Sequence, residues 1–202
     1  MEKFTIWKNE YLREKTNGYY NTFYIGYKQE GNPDFLNDLK NTFGNTYRHV
    51  LLKAKKEVCD ILLQDLPKVV ELENLIYPIC VCVPRSRADM VNVQQYFREA
   101  VSEASRQIKE IEDGSYVIER VINTCTTHLR NSTARTDGPE PYLGITVDTC
   151  KIDVRRIRGR DVVLIDDIYT SGCNIDEDCI QALYDNGANR VVFYAIAYTR
   201  RG

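Results

Sequence analysis

Hydrophobic positions are spaced in two different ways along this chain, and the change lies near residue 76. Before it, the aromatic-rich residues 19–27 predict a strand that ends in polar turn residues. Asn32–Pro33 predicts the N-cap and first turn of a short helix. Apolar residues then recur every three or four positions between residues 50 and 62. They predict a second helix, which Pro67 should end.

Beyond residue 76, short apolar runs alternate with helical stretches. An apolar stripe with steps of three and four predicts one long helix over Met90–Ile111, closed by Gly114. A further helix is predicted from Ile175 to a stop at Asn186–Gly187. Strands separated by helices imply a parallel sheet with right-handed crossovers. The predicted strands are residues 79–83, 116–122, 162–165 and 191–197.

Composition and charge narrow the class of protein. The 202 residues fit one compact domain with a small accessory lobe, and 43% apolar residues exclude a disordered chain. A net charge of −2 gives no reason to expect a nucleic-acid partner, and no apolar run reaches the length of a membrane span. The first residues do not resemble a secretory signal, so we expect a cytoplasmic protein. The seven cysteines include no Cys-x-x-Cys pair, which leaves a zinc site little support.

The residues after the most apolar predicted strand carry the candidate chemistry. Asp166 and Asp167 follow this strand directly, and a short polar turn at residues 170–174 leads into the next helix. Ligands of open parallel sheets bind beyond the carboxyl ends of the strands. The backbone N–H groups of such a turn, its hydroxyls and the positive end of the helix dipole favour a phosphate monoester. The alternative is that the acids only cap the helix or stay solvated.

This arrangement resembles a known motif. A hydrophobic strand, two acids, two apolar residues and then Thr170-Ser171-Gly172 resemble the phosphoribosyl pyrophosphate (PRPP) signature of the type I phosphoribosyltransferases. Tyr169, just before the Thr, is similar to the competence-associated and amidophosphoribosyltransferase-like members of that family. The resemblance covers roughly residues 76–200. It implies an α/β fold, with a parallel-sheet, Rossmann-like core at residues 76–202 and a small N-terminal α+β hood lobe at residues 1–75.

The same resemblance implies a role for each part of the motif. Asp166 and Asp167 would engage the 2- and 3-hydroxyls of the ribose and would contact Mg2+ through water. The family usually has Thr where this chain has Asn174, whose amide can still donate a hydrogen bond. The residues implied to hold the 5-phosphate are Thr170, Ser171, Gly172, Cys173 and Asn174.

Two further loops resemble parts of the family. Residues 84–89, after the first core strand, resemble its pyrophosphate loop. Residues 124–148 occupy the place of its flexible catalytic loop, which closes over the reactants and excludes water. An ordinary solvated loop is the alternative in both cases. The candidate pyrophosphate contacts are Arg85, Ser86 and Arg87 in the first loop and Arg130 and Arg135 in the second.

The implied reaction transfers the 5-phosphoribosyl group from PRPP to a nitrogenous acceptor, a nucleobase or similar molecule, with release of pyrophosphate and with Mg2+ as cofactor. The aromatic hood at residues 1–75 would bind the acceptor, and nothing in the sequence names it. Members of the family are commonly dimers, so a homodimer is expected. One alternative is a non-catalytic module that binds PRPP or a nucleotide as a regulatory signal. Another is a structural protein that has inherited the fold.

Overall fold

The computed structural model describes residues 1–41, 46–90, 92–124 and 148–200. The strands are β1 (Glu2–Ile6), β2 (Thr16–Tyr24), β3 (Ile79–Cys82), β4 (Glu112–Asp113), β5 (Ile118–Arg120), β6 (Cys150–Ile152), β7 (Asp161–Tyr169) and β8 (Arg190–Thr199). The α-helices are α1 (Phe35–Lys40), α2 (Arg48–Leu72), α3 (Tyr96–Gln107), α4 (Val154–Ile157) and α5 (Ile175–Asp185).

Among the described residues, six strands form the main sheet, in the order β1-β2-β8-β7-β3-β4. β1 runs antiparallel to β2 at one edge. Every other neighbouring pair in this sheet is parallel, with β7 and β8 at its centre. The carboxyl ends of β3, β7 and β8 therefore meet at one edge of the sheet, where open α/β sheets bind their ligands.

Helices cover both faces of the sheet and produce two hydrophobic clusters. Val163 and Ile165 of β7 are buried in the cluster that includes α1, α2 and α3. Val162 and Leu164 of the same strand are buried in the cluster that includes α5. This alternation is the one expected of a strand covered on both sides. The structure confirms an α/β protein with a mostly parallel sheet, which is compatible with a Rossmann-like fold.

The first 75 residues share this sheet and this core. β2 pairs with β8, and the register joins Gly18 to Phe193 and Tyr24 to Thr199. Leu62 of α2 lies in the same hydrophobic cluster as the strands β7 and β8. The boundary predicted after residue 75 thus coincides with no break in the sheet or the core. A hood lobe that binds the acceptor stays a prediction.

Two helix limits predicted from the sequence are wrong. α2 continues through Pro67, since Leu66 and Val69 on either side of it are fully buried. Burial of that face outweighs the lost N–H and the clash of the proline ring. α1 has Asp34 as its N-cap, whereas the side chain of Asn32 accepts hydrogen bonds from backbone N–H groups of the preceding turn.

The helix predicted over Met90–Ile111 is also shorter in the structure. Residues 92–94 form a 3-10 turn before α3, and the backbone is extended at Ile108. Gly114 does not close this helix but follows β4. A Cβ on Gly114 would lie 2.8 Å from the carbonyl oxygen of Cys80, so the close approach of two strands requires glycine there.

The four predicted strands are present with changed limits and partners. Residues 118–120 form β5 in a separate pair with β6, so the predicted strand over residues 116–122 is not part of the main sheet. The largest change is in β7, which continues four residues beyond Ile165 and ends at Tyr169. In the described parts of the chain, no helix is long and apolar enough to cross a membrane.

Candidate functional site

The acid pair lies within β7 rather than after it. The strand continues through Asp166 and Asp167 to Tyr169, and consecutive strand residues point to opposite faces of a sheet. The carboxyl of Asp166 is hydrogen-bonded to Asp176 of α5 on one face. On the other face, Oδ2 of Asp167 lies 4.0 Å from Nζ of Lys40 at the end of α1. The two carboxylates therefore do not converge on one point.

Asp166 and Asp176 form a coupled acid pair. Burial, followed by the charge of Asp167, raises the pKa of Asp166 to about 7, although part of the residue reaches solvent. Burial, followed by the charges of Asp166 and Glu177, raises the pKa of Asp176 well above its ordinary value. Within the described residues, Oδ1 of Asp176 has no hydrogen-bond partner. We conclude that this pair shares a proton near neutral pH.

Asp176→Asn should flatten the pH dependence of stability. Between about pH 4, where an unfolded Asp titrates, and about pH 7, the folded protein binds more protons than the unfolded chain. The free energy of unfolding of the wild type therefore falls as the pH rises across this window. Asn can donate to Asp166 and removes a like charge. The variant should be more stable than the wild type by about 1–3 kcal/mol at pH 8, and by less at pH 5.

Urea unfolding at pH 5 and pH 8 measures this difference. Asp60→Asn is a matched control, because Asp60 is half exposed and pairs with Lys56 on the solvent side of α2. The control should keep the pH dependence of the wild type. Parallel stability curves for Asp176→Asn and the wild type would rule out the shared proton.

The turn between β7 and α5 brings the predicted phosphate-binding residues together. Oγ1 of Thr170 lies 2.6 Å from Oγ1 of Thr199, and the backbone N–H of Cys173 donates to the carbonyl of Thr170 at 3.0 Å. Gly172 has a φ of 84° and Asn174 a φ of 60°. Glycine and asparagine adopt this left-handed backbone, whereas a β-branched residue resists it. The backbone is thus a physical reason for Asn rather than Thr at position 174.

The first turn of α5 contains buried acids that the motif does not predict: Asp176, Glu177 and Asp178. Acids in this position interact favourably with the helix dipole. Oε1 of Glu177 accepts a hydrogen bond from the hydroxyl of Tyr169 at 2.9 Å, and burial raises the pKa of Glu177. Their charges also lower the positive potential of the turn. A phosphate there would depend on directed N–H and O–H donors rather than on net charge.

Arg85 joins the loop after β3 to the end of α1. Its guanidinium donates to the backbone carbonyls of Lys40 at 2.6 Å and Gln94 at 3.1 Å. Burial lowers the pKa of Arg85, while the charges of Asp167 and Asp166 oppose that shift. Arginine nevertheless stays protonated in proteins. In this structure the donors of Arg85 bind backbone, so a contact with pyrophosphate stays a prediction.

The other predicted residues of this loop differ in exposure. Arg87 is exposed, and its guanidinium binds both carboxylate oxygens of Asp89 at 2.8 and 2.7 Å. The carbonyl of Ser86 accepts a hydrogen bond from the backbone N–H of Thr124 at 2.8 Å. The loop is therefore fixed at Ser86 and open at Arg87. Two predicted residues lie outside the described ones: Arg130 and Arg135.

Arg120 supports the same loop and was not predicted. It is 6 % exposed, and its guanidinium donates to the carbonyl of Arg85 at 2.8 Å and to Oγ1 of Thr149 at 2.7 Å. A sequence signal for this role exists, because Arg120 shares its strand face with the buried Ile118. A charged residue on the apolar side of a predicted strand needs buried partners, and backbone carbonyls supply them here.

Mg2+ fits one of the two predicted acids. Within the described residues, no group of three or more His, Cys, Asp or Glu side chains could hold a metal ion. Mg2+ usually keeps several waters and binds one or two carboxylates together with phosphate oxygens. Asp167 fits that role because it lies beside the open edge of the sheet. Asp166 does not fit it, since its carboxyl is hydrogen-bonded to Asp176 on the opposite face.

The site thus combines an open turn with left-handed backbone, one carboxylate that faces a lysine, and a loop fixed by two buried arginines. No protein-family model matches this chain, and no curated protein matches its sequence. The chemistry of the site is therefore argued from the residues and their geometry.

Proposed function

We propose that this protein binds PRPP at the carboxyl edge of its sheet and transfers the phosphoribosyl group to a nitrogenous acceptor. The observation that carries the proposal is the position of the turn at residues 170–174. It lies between the central strand β7 and the N-terminus of α5, one strand away from the loop after β3. A phosphate at the turn and a pyrophosphate at that loop would place a ribose ring over the end of β7, beside Asp167.

The proposed step is a displacement at the anomeric carbon. The bond from C1 to the pyrophosphate oxygen breaks, and its electron pair leaves with the pyrophosphate. A nitrogen lone pair of the acceptor forms the new bond to C1 from the opposite face, and the proton of that nitrogen is released to solvent. Positive charge grows on the ribose ring while negative charge grows on the leaving group, so positioning and electrostatic stabilisation supply most of the catalysis.

Each part of the site has a role in this step. The carboxylate of Asp167 orients the ribose hydroxyls and stabilises positive charge on the ring. The backbone N–H groups and hydroxyls of Thr170 and Ser171 hold the 5-phosphate. Bound Mg2+ would neutralise pyrophosphate charge and make it a better leaving group. The buried arginines, Arg85 and Arg120, position the loop.

A second function is supported by a specific observation. Arg85 binds backbone carbonyls and Arg87 binds Asp89, so both predicted pyrophosphate cations have protein partners. A module that binds PRPP or a nucleotide as a regulatory signal needs the phosphate turn but not a stabilised leaving group. Release of pyrophosphate in the presence of acceptor bases distinguishes the two functions.

Gly172→Val should weaken PRPP binding by about tenfold or more, because a β-branched residue at a φ of 84° costs about 1–3 kcal/mol and shifts the N–H groups of the turn. Calorimetric titration with PRPP, with and without Mg2+, measures this affinity for wild type and variant. Gly159→Val is the matched control, since Gly159 has a φ of 71° with no atom within 4 Å of a Cβ and lies at the start of β7. The control should keep wild-type affinity. No binding of PRPP by the wild type at millimolar concentration would refute the proposed function.

A further inference from the structure

A cation for the leaving group is missing from the predicted set. Arg85 donates to the carbonyls of Lys40 and Gln94, and Arg87 pairs with Asp89 at the exposed end of the loop. Stabilising a pyrophosphate requires a positive side chain that can reach its oxygens. The described residues offer one in Lys40, which the motif does not include.

The structure holds Lys40 beside the acid at the end of the central strand. Its Nζ lies 4.0 Å from Oδ2 of Asp167, and both side chains are 26 % exposed. They are thus partly buried yet still reachable from solvent. Lys40 is the last residue of α1, a helix that the sequence predicts only through its first turn at Asn32–Pro33. No pattern in the sequence indicates that its end meets β7.

Arg85 fixes the backbone of Lys40 relative to the loop after β3. The hydrogen bond from the Arg85 guanidinium to the carbonyl of Lys40 is 2.6 Å long. Arg85 itself belongs to the loop that is held by Arg120 and Thr124. The chain position of Lys40 is therefore set, and only its flexible side chain has to turn to meet a ligand between this loop and Asp167.

The contact with Asp167 leaves the ammonium available. An ion pair at 4.0 Å with partly exposed partners is a weak one. Pyrophosphate carries more negative charge than a carboxylate and offers more acceptor oxygens, so it attracts an ammonium more strongly. A ligand over the end of β7 would bring such oxygens next to Nζ.

We propose that Lys40 binds the pyrophosphate group of PRPP and takes the role that the sequence assigned to Arg85. This inference rests on the proposed function, because it concerns the same ligand at the same edge of the sheet. It adds a residue from the N-terminal segment to the binding site. It also divides the labour in this region, since Arg85 positions Lys40 and Lys40 contacts the ligand.

The test compares three ligands on one set of variants. Calorimetric titrations with PRPP, inorganic pyrophosphate and ribose 5-phosphate are made on wild type, Lys40→Met and Lys40→Arg. Lys40→Met should weaken PRPP and pyrophosphate by about tenfold, the value of one charged hydrogen bond, and should change ribose 5-phosphate by less than about twofold. Lys40→Arg should restore most of the lost affinity. Lys56→Met, on the solvent side of α2, is the control for a loss of positive charge elsewhere.

Each result decides a different point. Equal affinities of wild type and Lys40→Met for pyrophosphate and PRPP would overturn the inference and leave the proposed function standing. An equal loss for ribose 5-phosphate would also overturn it, since the lysine would then act on charge in general. Failure of the wild type to bind PRPP would overturn the proposed function, and the inference with it. Urea unfolding of Lys40→Met should match the wild type and thereby exclude a loss of fold as the cause.

Discussion

Asp167→Asn should reduce phosphoribosyl transfer by about a hundredfold or more while leaving the free energy of unfolding almost unchanged. Asp167 is the acid that faces Lys40 and the open edge of the sheet, and Asn keeps its shape without its charge. The variant loses the negative charge that would stabilise the positive ribose ring and orient its hydroxyls. Pyrophosphate release in the presence of an acceptor, measured at saturating PRPP, gives the change in turnover. Urea unfolding of the same preparation gives the change in stability.

Asp166→Asn is the matched control, because it makes the same chemical change one residue away on the other face of β7. Its amide can donate to Asp176, and the like-charge repulsion in that pair is removed. We expect turnover within about threefold of the wild type and a gain in stability above pH 7. Equal losses of turnover in the two variants would show that both acids act on the substrate. The division between the two faces of the strand would then be wrong.

The sequence predicts the parts of this fold that depend on local pattern. The apolar run at residues 162–165 identifies the central strand, because four consecutive apolar residues are typical of a strand buried on both faces. The glycine at 172 and the start of α5 at Ile175 follow from turn and helix signals. These features place the candidate site at the correct edge of the sheet before any coordinates are considered.

Other features depend on contacts between distant residues, which no local pattern reports. β7 extends through two acids because β8 continues to pair with it as far as Tyr169. α2 passes through Pro67 because its buried face packs in the core. The pattern also identifies Arg85 as a cation near a ligand, yet its direction is decided by the end of α1, a segment 45 residues earlier in the chain. The charge of the residue was predictable, whereas its partner was not.

Arg85→Met should destabilise the protein by about 2–4 kcal/mol and weaken PRPP binding as a consequence. Met keeps most of the volume of the side chain but cannot donate, so the carbonyls of Lys40 and Gln94 lose their partner. An unpaired buried carbonyl costs about 1–3 kcal/mol. The end of α1 should then separate from the loop after β3, and Lys40 should lose its fixed position. Urea unfolding measures the first effect, and calorimetric titration with PRPP measures the second.

Arg87→Met separates this structural role from direct binding. Arg87 is exposed and pairs with Asp89, so its loss should change the free energy of unfolding by less than about 0.5 kcal/mol. Whatever affinity it contributes would be lost without a change in stability. If Arg85 were instead the residue that contacts pyrophosphate, Arg85→Met would show that same pattern: weak binding with wild-type stability. The ratio of the two effects in each variant therefore assigns one arginine to the architecture of the site and tests the other as a ligand contact.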